Sequence, residues 1–163
     1  MTEPIIVING TACPIAGEDR ETLGDFLRAQ GVNSVHLGCE HGVCGACNVL
    51  VDGACSRSCL MLAKACAGAE VRTIDGLHDE LADALRDAFN RHHALQCGYC
   101  TPGVFAAAYE LLCEGNALNE TAVRERLAGS ICRCTGYQGM VEAVLDVAAR
   151  HAEPCPANVA SID

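Results

Sequence analysis

The 163-residue sequence has no tryptophan, three phenylalanines and three tyrosines, so aromatic side chains contribute little to its core. No apolar run approaches the roughly 18 residues that a membrane span needs, which argues against a membrane protein. Basic residues are also scarce: 11 Lys and Arg stand against 21 Asp and Glu, for a formal net charge of −10. This charge repels phosphate backbones and anionic lipids, which argues against nucleic-acid or membrane binding and leaves protein partners.

Cysteine is the residue in excess, with 13 in the chain. The N-terminal segment has no basic flank, and its apolar run ends at Asn9-Gly10, so we expect no secretory signal and a cytoplasmic location. Thiols stay reduced in that compartment, so an odd number of cysteines predicts metal ligation and not a disulfide scaffold.

Residues 1–76 are predicted to form a small α+β domain. Apolar alternation before Asn9-Gly10 and before Asp52-Gly53 predicts two β-hairpins, because these dipeptides favour tight hairpin turns. Between the hairpins, apolar residues recur at helical spacing over residues 23–27. A further strand is predicted at residues 71–74.

Residues 77–163 are predicted to form a second, all-helical domain. The apolar period changes to 3.6 and predicts four helices with short connections, which favours an up-and-down four-helix bundle. Thr101 is the expected N-cap of the second helix, followed by Pro102, and Asn119 is the expected N-cap of the third. The tail from Pro154 is expected to be loose. The predicted fold class is therefore α+β, a strand-rich domain followed by a helical bundle.

The first cysteine motif lies between the predicted helix and the second hairpin. Cys39, Cys44 and Cys47 have the spacing C-x4-C-x2-C, and Cys59 follows beyond the hairpin. This is the plant-type ferredoxin spacing for a [2Fe-2S] cluster, and the glycines of the loop allow backbone N–H groups to face the anionic sulfurs. A structural zinc site is the alternative, although zinc sites favour paired C-x2-C motifs. Cys55 competes with Cys59 as the fourth ligand.

The second cysteine motif is split between two helix connections. Cys97 and Cys100 lie between the first and second predicted helices, and Cys132 and Cys134 lie between the third and fourth. In an up-and-down bundle these connections lie at the same end, so the four thiols converge. The helix N-termini that follow favour thiolates and an anionic cluster. On spacing alone, zinc stays open for this site.

The other five cysteines have no partner spacing and are predicted to be buried small hydrophobes or exposed bystanders. They are Cys13, Cys55, Cys66, Cys113 and Cys155. The sequence also has no catalytic Ser-His-Asp pattern, phosphate-binding loop or dinucleotide fingerprint. We therefore expect no substrate site in this chain.

The cysteine motifs resemble the small iron-sulfur subunit of the molybdenum hydroxylases, the xanthine oxidase and carbon monoxide dehydrogenase family. The resemblance extends from Ile6 to about His151. It rests on Gly38-Cys-Glu-His-Gly-Val-Cys-Gly-Ala-Cys, Arg57-Ser-Cys-Leu, Gln96-Cys-Gly-Tyr-Cys-Thr-Pro-Gly and Gly129-Ser-Ile-Cys-Arg-Cys-Thr-Gly-Tyr.

The resemblance implies a β-grasp ferredoxin domain and a helical domain, each with one [2Fe-2S] cluster, and it decides against Cys55. The implied ligands are Cys39, Cys44, Cys47 and Cys59 for the first cluster, and Cys97, Cys100, Cys132 and Cys134 for the second. In the family, the second cluster lies beside a molybdopterin of a large subunit. Gln96 is therefore expected to hydrogen-bond the pterin, and Cys134 to lie close to it. The first cluster is expected to face FAD in a medium-sized subunit.

The predicted function is electron transfer, one electron at a time, from molybdenum through the two clusters to FAD. The chain would be the iron-sulfur subunit of an oxidoreductase complex, with a dimer of heterotrimers as its expected assembly. A free-standing two-cluster carrier and a zinc-stabilised interaction module are the alternatives. Asn48 and Ser130 depart from the family, which often has threonine and asparagine there; we expect them to alter hydrogen bonds near a cluster.

Overall fold

A five-stranded mixed sheet forms the N-terminal part of the computed structural model, which describes residues 3–151 and Cys155. Its strands are β1 (Ile5–Ile8), β2 (Thr11–Pro14), β3 (Asn48–Val51), β4 (Ala54–Arg57) and β5 (Glu70–Arg72). Their order is β2-β1-β5-β3-β4; β1 and β5 are parallel and the other neighbours are antiparallel. The loose tail predicted from Pro154 lies outside the described residues, apart from Cys155.

Both predicted hairpins are present, and their turns explain why. Asn9 and Gly10 have φ angles of 48° and 82°, and Asp52 and Gly53 have φ angles of 49° and 86°. Two successive positive φ angles match the right-handed twist of the flanking strands. The strand predicted at residues 71–74 is shorter and begins one residue earlier, because the chain turns into a short 3₁₀ segment at Ile74–Gly76.

Five α-helices complete the fold. They are α1 (Leu23–Ala29), α2 (Glu80–Arg91), α3 (Thr101–Cys113), α4 (Glu120–Leu127) and α5 (Gln138–Arg150). The last four are the predicted helical bundle, and Asn119 caps α4 as predicted, accepting a bond from the Ala122 N–H at 2.9 Å. None of the described helices is long and apolar enough to cross a membrane.

The predicted N-cap of α3 is wrong by one residue. Thr101 is the first helical residue, and Cys100 occupies the cap position with a helical backbone conformation. The reason is the turn before it: the Thr101 N–H already bonds to the Gly98 carbonyl, so the chain is coiled before the helix begins. The cysteine turn and α3 are therefore one continuous unit.

Helix α3 joins the sheet to the bundle. On one face of the sheet, α1 buries Leu23 and Leu27 with Ile6 and Val71, whereas Leu50 of β3 lies in the core of the helical bundle. Strand β3 is therefore buried on both faces, which explains the apolar run Val49-Leu50-Val51 that follows Asn48. The two halves of the chain share one continuous packed interface.

Two of the cysteines predicted to be bystanders are bonded to each other. Cys113, at the end of α3, and Cys155 form a disulfide that closes a segment of 42 residues around α4 and α5. The prediction that all thiols stay free is therefore wrong for this pair. The residues are too far apart in sequence for a spacing rule to link them, and only the packing of α5 beside α3 brings them together.

Thiol labelling checks this pair directly. Alkylation of the denatured, cluster-free chain without reductant is expected to modify 11 cysteines and to leave Cys113 and Cys155 unmodified. After reduction, all 13 cysteines should react. Peptide mass mapping distinguishes the two cases, and labelling of Cys113 in the unreduced sample would contradict the disulfide.

Candidate metal centres

The first group of thiols lies in the loop that precedes β3. Glu40, Gly42 and Gly45 have φ angles of 55°, 83° and 73°, so the loop repeatedly enters the left-handed region. This curvature turns backbone donors inward, and the Cys44 N–H lies 3.4 Å from the Cys39 sulfur. The loop glycines thus have the role that the sequence predicted for them.

Electrostatics of this loop favour a bound anion. The backbone N–H groups of His41 and Cys44 lower the pKa of Cys39 to about 6, although burial opposes the shift. A thiolate, and not a thiol, binds a metal. The protein therefore stabilises the ligating form of Cys39 through its own backbone.

Cys59 reaches the same site from the end of β4. The Ser58 hydroxyl donates to the Cys47 carbonyl oxygen at 2.8 Å and ties the two segments together. Burial raises the pKa of Cys59 to about 11, and so do a hydrogen bond with Cys47 and the negative charges of Cys47 and Cys39. Cys47 and Cys59 are both buried in the core of the N-terminal half, so the turn after β4 brings Cys59 beside the first loop.

Cys55, the competing ligand, points elsewhere. Its side chain packs against the core of the helical bundle, and its N–H donates to the Glu110 carboxylate at 2.8 Å. Burial and the charge of Glu110 raise the pKa of Cys55 to about 12. Cys59 also has a raised pKa, so packing is what separates the two residues: Cys55 packs against the helical core, and Cys59 lies in the core of the N-terminal half.

The second group of thiols forms where two helix connections meet, as the bundle topology predicts. The Cys134 sulfur lies 3.6 Å from the Cys97 sulfur, and burial together with the nearby Cys132 raises the pKa of Cys100 to about 12. Cys100 is buried, whereas Cys97 and Cys134 are exposed. The exposed thiols open this site to its surroundings, and Gln96, which directly precedes Cys97, is exposed as well.

Hydrogen bonds stabilise the turn that carries Cys132. The Tyr137 hydroxyl accepts from the Cys132 N–H at 2.6 Å and donates to the Ser130 carbonyl oxygen at 3.0 Å. Burial disfavours the Cys132 thiolate, but hydrogen bonds from the hydroxyl and N–H of Thr135 lower its pKa overall. Tyr137 and Thr135 therefore hold Cys132 in place and favour its ligating form.

The two sites touch through the backbone. The Ile131 N–H donates to the Cys44 carbonyl oxygen at 2.8 Å, and Ile131 directly precedes Cys132. Tyr99, between Cys97 and Cys100, adds a second link, because its hydroxyl donates to the Leu37 carbonyl oxygen at 2.9 Å. The backbone segments that carry the two groups of thiols are therefore linked directly by hydrogen bonds.

The two family departures noted in the sequence meet at this junction. Asn48 and Ser130 are both buried, and the Asn48 amide lies 3.4 Å from the Ser130 hydroxyl and 3.1 Å from the Gly103 carbonyl oxygen. The sequence predicted an effect near a cluster but not this contact. The sequence feature that could have indicated this contact is the position of both residues next to a cysteine motif.

Exposed apolar side chains surround both sites. Val43 and Leu60 are 55% and 60% exposed beside the first group of thiols, and Tyr99 and Ile131 are 48% and 52% exposed beside the second. Large apolar side chains exposed next to a functional site mark a surface that another protein covers.

The donors of the first site fit an anionic iron-sulfur cluster. The Cys44 N–H faces the Cys39 sulfur, and backbone N–H groups favour the thiolate form of Cys39. Cysteine thiolates are the ligands that such clusters take from proteins.

Comparison with known proteins identifies both halves of the chain. Residues 6–70 match the family model of a 2Fe-2S iron-sulfur cluster binding domain, and residues 73–145 match that of a [2Fe-2S] binding domain. The first is a β-grasp family, which agrees with the sheet of the N-terminal half.

Individual relatives match over most of their length. The chain is 51% identical over 142 residues to the nicotine 6-hydroxylase small subunit of Paenarthrobacter nicotinovorans, covering 86% of each chain. It is 42% identical to the xanthine dehydrogenase iron-sulfur-binding subunit of Escherichia coli O157:H7, covering 85% of this chain and 89% of the relative. Among solved structures, a chain of quinoline 2-oxidoreductase from Pseudomonas putida 86 superposes with a TM-score of 0.85 at 43% identity, covering 92% and 94% of the two chains.

Proposed function

Because the chain belongs to the small iron-sulfur subunits of the molybdenum hydroxylases of the xanthine oxidase family, we propose that it relays single electrons from a molybdopterin-bound molybdenum in a large partner subunit to FAD in a medium-sized one. Each [2Fe-2S] cluster, when bound, accepts and releases one electron at a time. The observation that carries the proposal is the bond from Ile131 to Cys44, which joins the segments of the two cysteine motifs.

The ligand assignment rests on the cysteine motifs and is supported by the contacts between their loops. We assign Cys39, Cys44, Cys47 and Cys59 to the first cluster, and Cys97, Cys100, Cys132 and Cys134 to the second. We assign the first cluster to a domain of residues 1–76 and the second to a domain of residues 77–163.

The bond from Ile131 to Cys44 has a direct role in this relay. It joins the segment of Cys44 to the segment of Cys132, and both cysteines are proposed ligands. The junction is closely packed, because Asn48 and Ser130 are buried there. Its residues would hold the two cysteine-bearing segments in contact.

The exposed side of each site indicates which partner it faces. Gln96, Cys97 and Cys134 form the open side of the second site, where a side-chain amide is available for a pterin. Val43 and Leu60 form an apolar surface beside the first site, which suits a flavin subunit. These apolar surfaces also favour a permanent subunit over a free-standing carrier, which would expose them to water.

We extend the proposal to the complex and its substrate. A cytoplasmic dimer of heterotrimers is the assembly proposed for the whole enzyme. Nicotine, xanthine and quinoline, in the names of the three relatives, all contain a nitrogen heterocycle. We propose a nitrogen heterocycle as the substrate class, with an aldehyde, the substrate named for other relatives, as the alternative. The large subunit would select the compound.

Purification of the native complex tests the function. We expect about four irons per chain, absorbance between about 400 and 600 nm that dithionite bleaches, and co-purification with larger molybdenum and flavin subunits. A nitrogen heterocycle that is a substrate should reduce the clusters and so bleach the same absorbance bands as dithionite. A colourless chain with bound zinc would exclude electron transfer, and a coloured chain that purifies alone would favour the free-standing carrier.

A further inference from the structure

We propose that Arg57 is a positioning residue for electron transfer, which clamps the two cluster loops together and supplies a positive charge between the clusters. The inference rests on the proposed function, since it requires clusters at both groups of thiols. Arg57 lies at the end of β4, two residues before Cys59.

The guanidinium of Arg57 bonds to both loops at once. Its Nε donates to the Gly42 carbonyl oxygen at 3.1 Å, inside the first cysteine loop. One terminal nitrogen donates to the Gly129 carbonyl oxygen, two residues before Ile131, in the turn that leads to Cys132. A single planar group therefore sets the separation of two backbone segments that are distant in sequence.

The remaining terminal nitrogen extends the clamp into the buried interface. It donates to the Asn48 side-chain oxygen, and the amide nitrogen of Asn48 bonds to the Gly103 carbonyl oxygen and to Ser130. Asn48 directly follows Cys47 in the sequence. The network thus connects a segment of the first site, helix α3 and a segment of the second site through one arginine.

The charge of Arg57 is available to the clusters. The three oxygens that it contacts are neutral, two from carbonyls and one from an amide, so none of these bonds is an ion pair. Arginine stays protonated at any working pH. Four thiolates around a two-iron core leave a net negative cluster, and each added electron makes it more negative. A cation at the junction of the two loops favours the reduced form of both.

Geometry and charge can be separated by two variants. Lysine keeps the charge but has no planar fork, so Arg57→Lys is expected to lose simultaneous contact with both loops. Arg57→Gln removes the charge and shortens the side chain. Arg86→Gln is the matched control, because Arg86 also bonds to two carbonyl oxygens, those of Ile74 and Leu77, which belong to neither cysteine loop.

The experiment uses the purified complex, with iron content and the visible spectrum measured first. EPR-monitored redox titration then gives the potential of each cluster, and the magnetic interaction between the two reduced clusters reports their separation. In Arg57→Gln we expect both potentials to become more negative, with a tenfold fall in the reduction equilibrium constant, which is 59 mV for one electron. In Arg57→Lys we expect smaller potential shifts but a changed magnetic interaction. Arg86→Gln should change neither.

The outcomes distinguish this inference from the proposed function. Missing clusters in the wild-type complex would overturn the function itself. With clusters present, potentials and magnetic interaction that match the wild type in Arg57→Gln would overturn the role of Arg57. If Arg57→Gln does not assemble, Arg57→Lys decides, and an unchanged magnetic interaction there would overturn the clamp. Equal effects of the Arg86 and Arg57 variants would indicate general destabilisation and also overturn it.

Discussion

Cys59→Ser is expected to lower the iron content from about four to about two per chain and to abolish electron transfer to the flavin, whereas Cys55→Ser leaves both unchanged. Cys59 lies close enough to Cys47 and Cys39 for their charges to raise its pKa. Cys55 packs against the helical core with a pKa raised to about 12. Serine is nearly the size of cysteine, so the pair tests ligation with little change in packing.

Iron analysis, EPR and turnover of the purified complex measure this difference. Cys59→Ser should retain the EPR signal of one cluster and lose the other, because the second group of thiols is untouched. Turnover should fall by more than the roughly 10- to 100-fold that changes outside the ligand shell cost. Loss of two irons in Cys55→Ser, with a full complement in Cys59→Ser, would reverse the ligand assignment.

Elements whose signals are local could be predicted from the sequence. Asn9-Gly10 and Asp52-Gly53 specify their hairpins because the turn depends on two residues and their positive φ angles. The helix periods specify the bundle, and the bundle topology alone brings Cys97 next to Cys134, at 3.6 Å. In these cases residues close in sequence specify each hairpin and helix, and the order of the helices then brings the cysteine loops together.

Features that depend on long-range packing could not be predicted. No spacing rule links Cys113 to Cys155 across 42 residues. The bond from Ile131 to Cys44 and the contacts of Arg57 require that the sheet and bundle dock in one orientation, which no local pattern specifies. Spacing alone also left Cys55 and Cys59 as competing ligands, and the preference for Cys59 came from the family resemblance. The sequence therefore does not predict the contacts at the junction between the two cysteine loops.

Gly103→Ala is expected to disrupt that junction. A Cβ at this position would lie 2.0 Å from the Gly45 carbonyl oxygen and 3.2 Å from the Ala46 carbonyl carbon, both backbone atoms. Gly45 is itself closely packed on its other side. A Cβ built on Gly45 would lie 2.7 Å from the Gly129 carbonyl oxygen, so little space is left for Gly45 to move. Helix α3, the first cysteine loop and the segment before Ile131 are thus stacked backbone on backbone.

The expected cost follows from this stacking. Overpacking against unyielding atoms costs about 3 kcal/mol, and the better helix propensity of alanine offsets about 1 kcal/mol of it. A net loss of about 2 kcal/mol corresponds to a fall in melting temperature of roughly 4 to 8 °C for a chain of this size. Because the strain separates the two cysteine loops, the magnetic interaction between the reduced clusters should weaken as well.

Gly68→Ala is the control that separates backbone strain from contact. Gly68 has a φ of 85°, which an alanine adopts only with strain, but no atom lies within 4 Å of the position that the alanine Cβ would take. Its replacement should cost about 1 to 2 kcal/mol through conformation alone and leave the cluster interaction unchanged. Thermal unfolding and EPR of the two loaded variants measure both effects. A Gly103→Ala protein with wild-type stability and wild-type magnetic interaction would mean that the close approach of α3 to the first loop does not set the distance between the clusters.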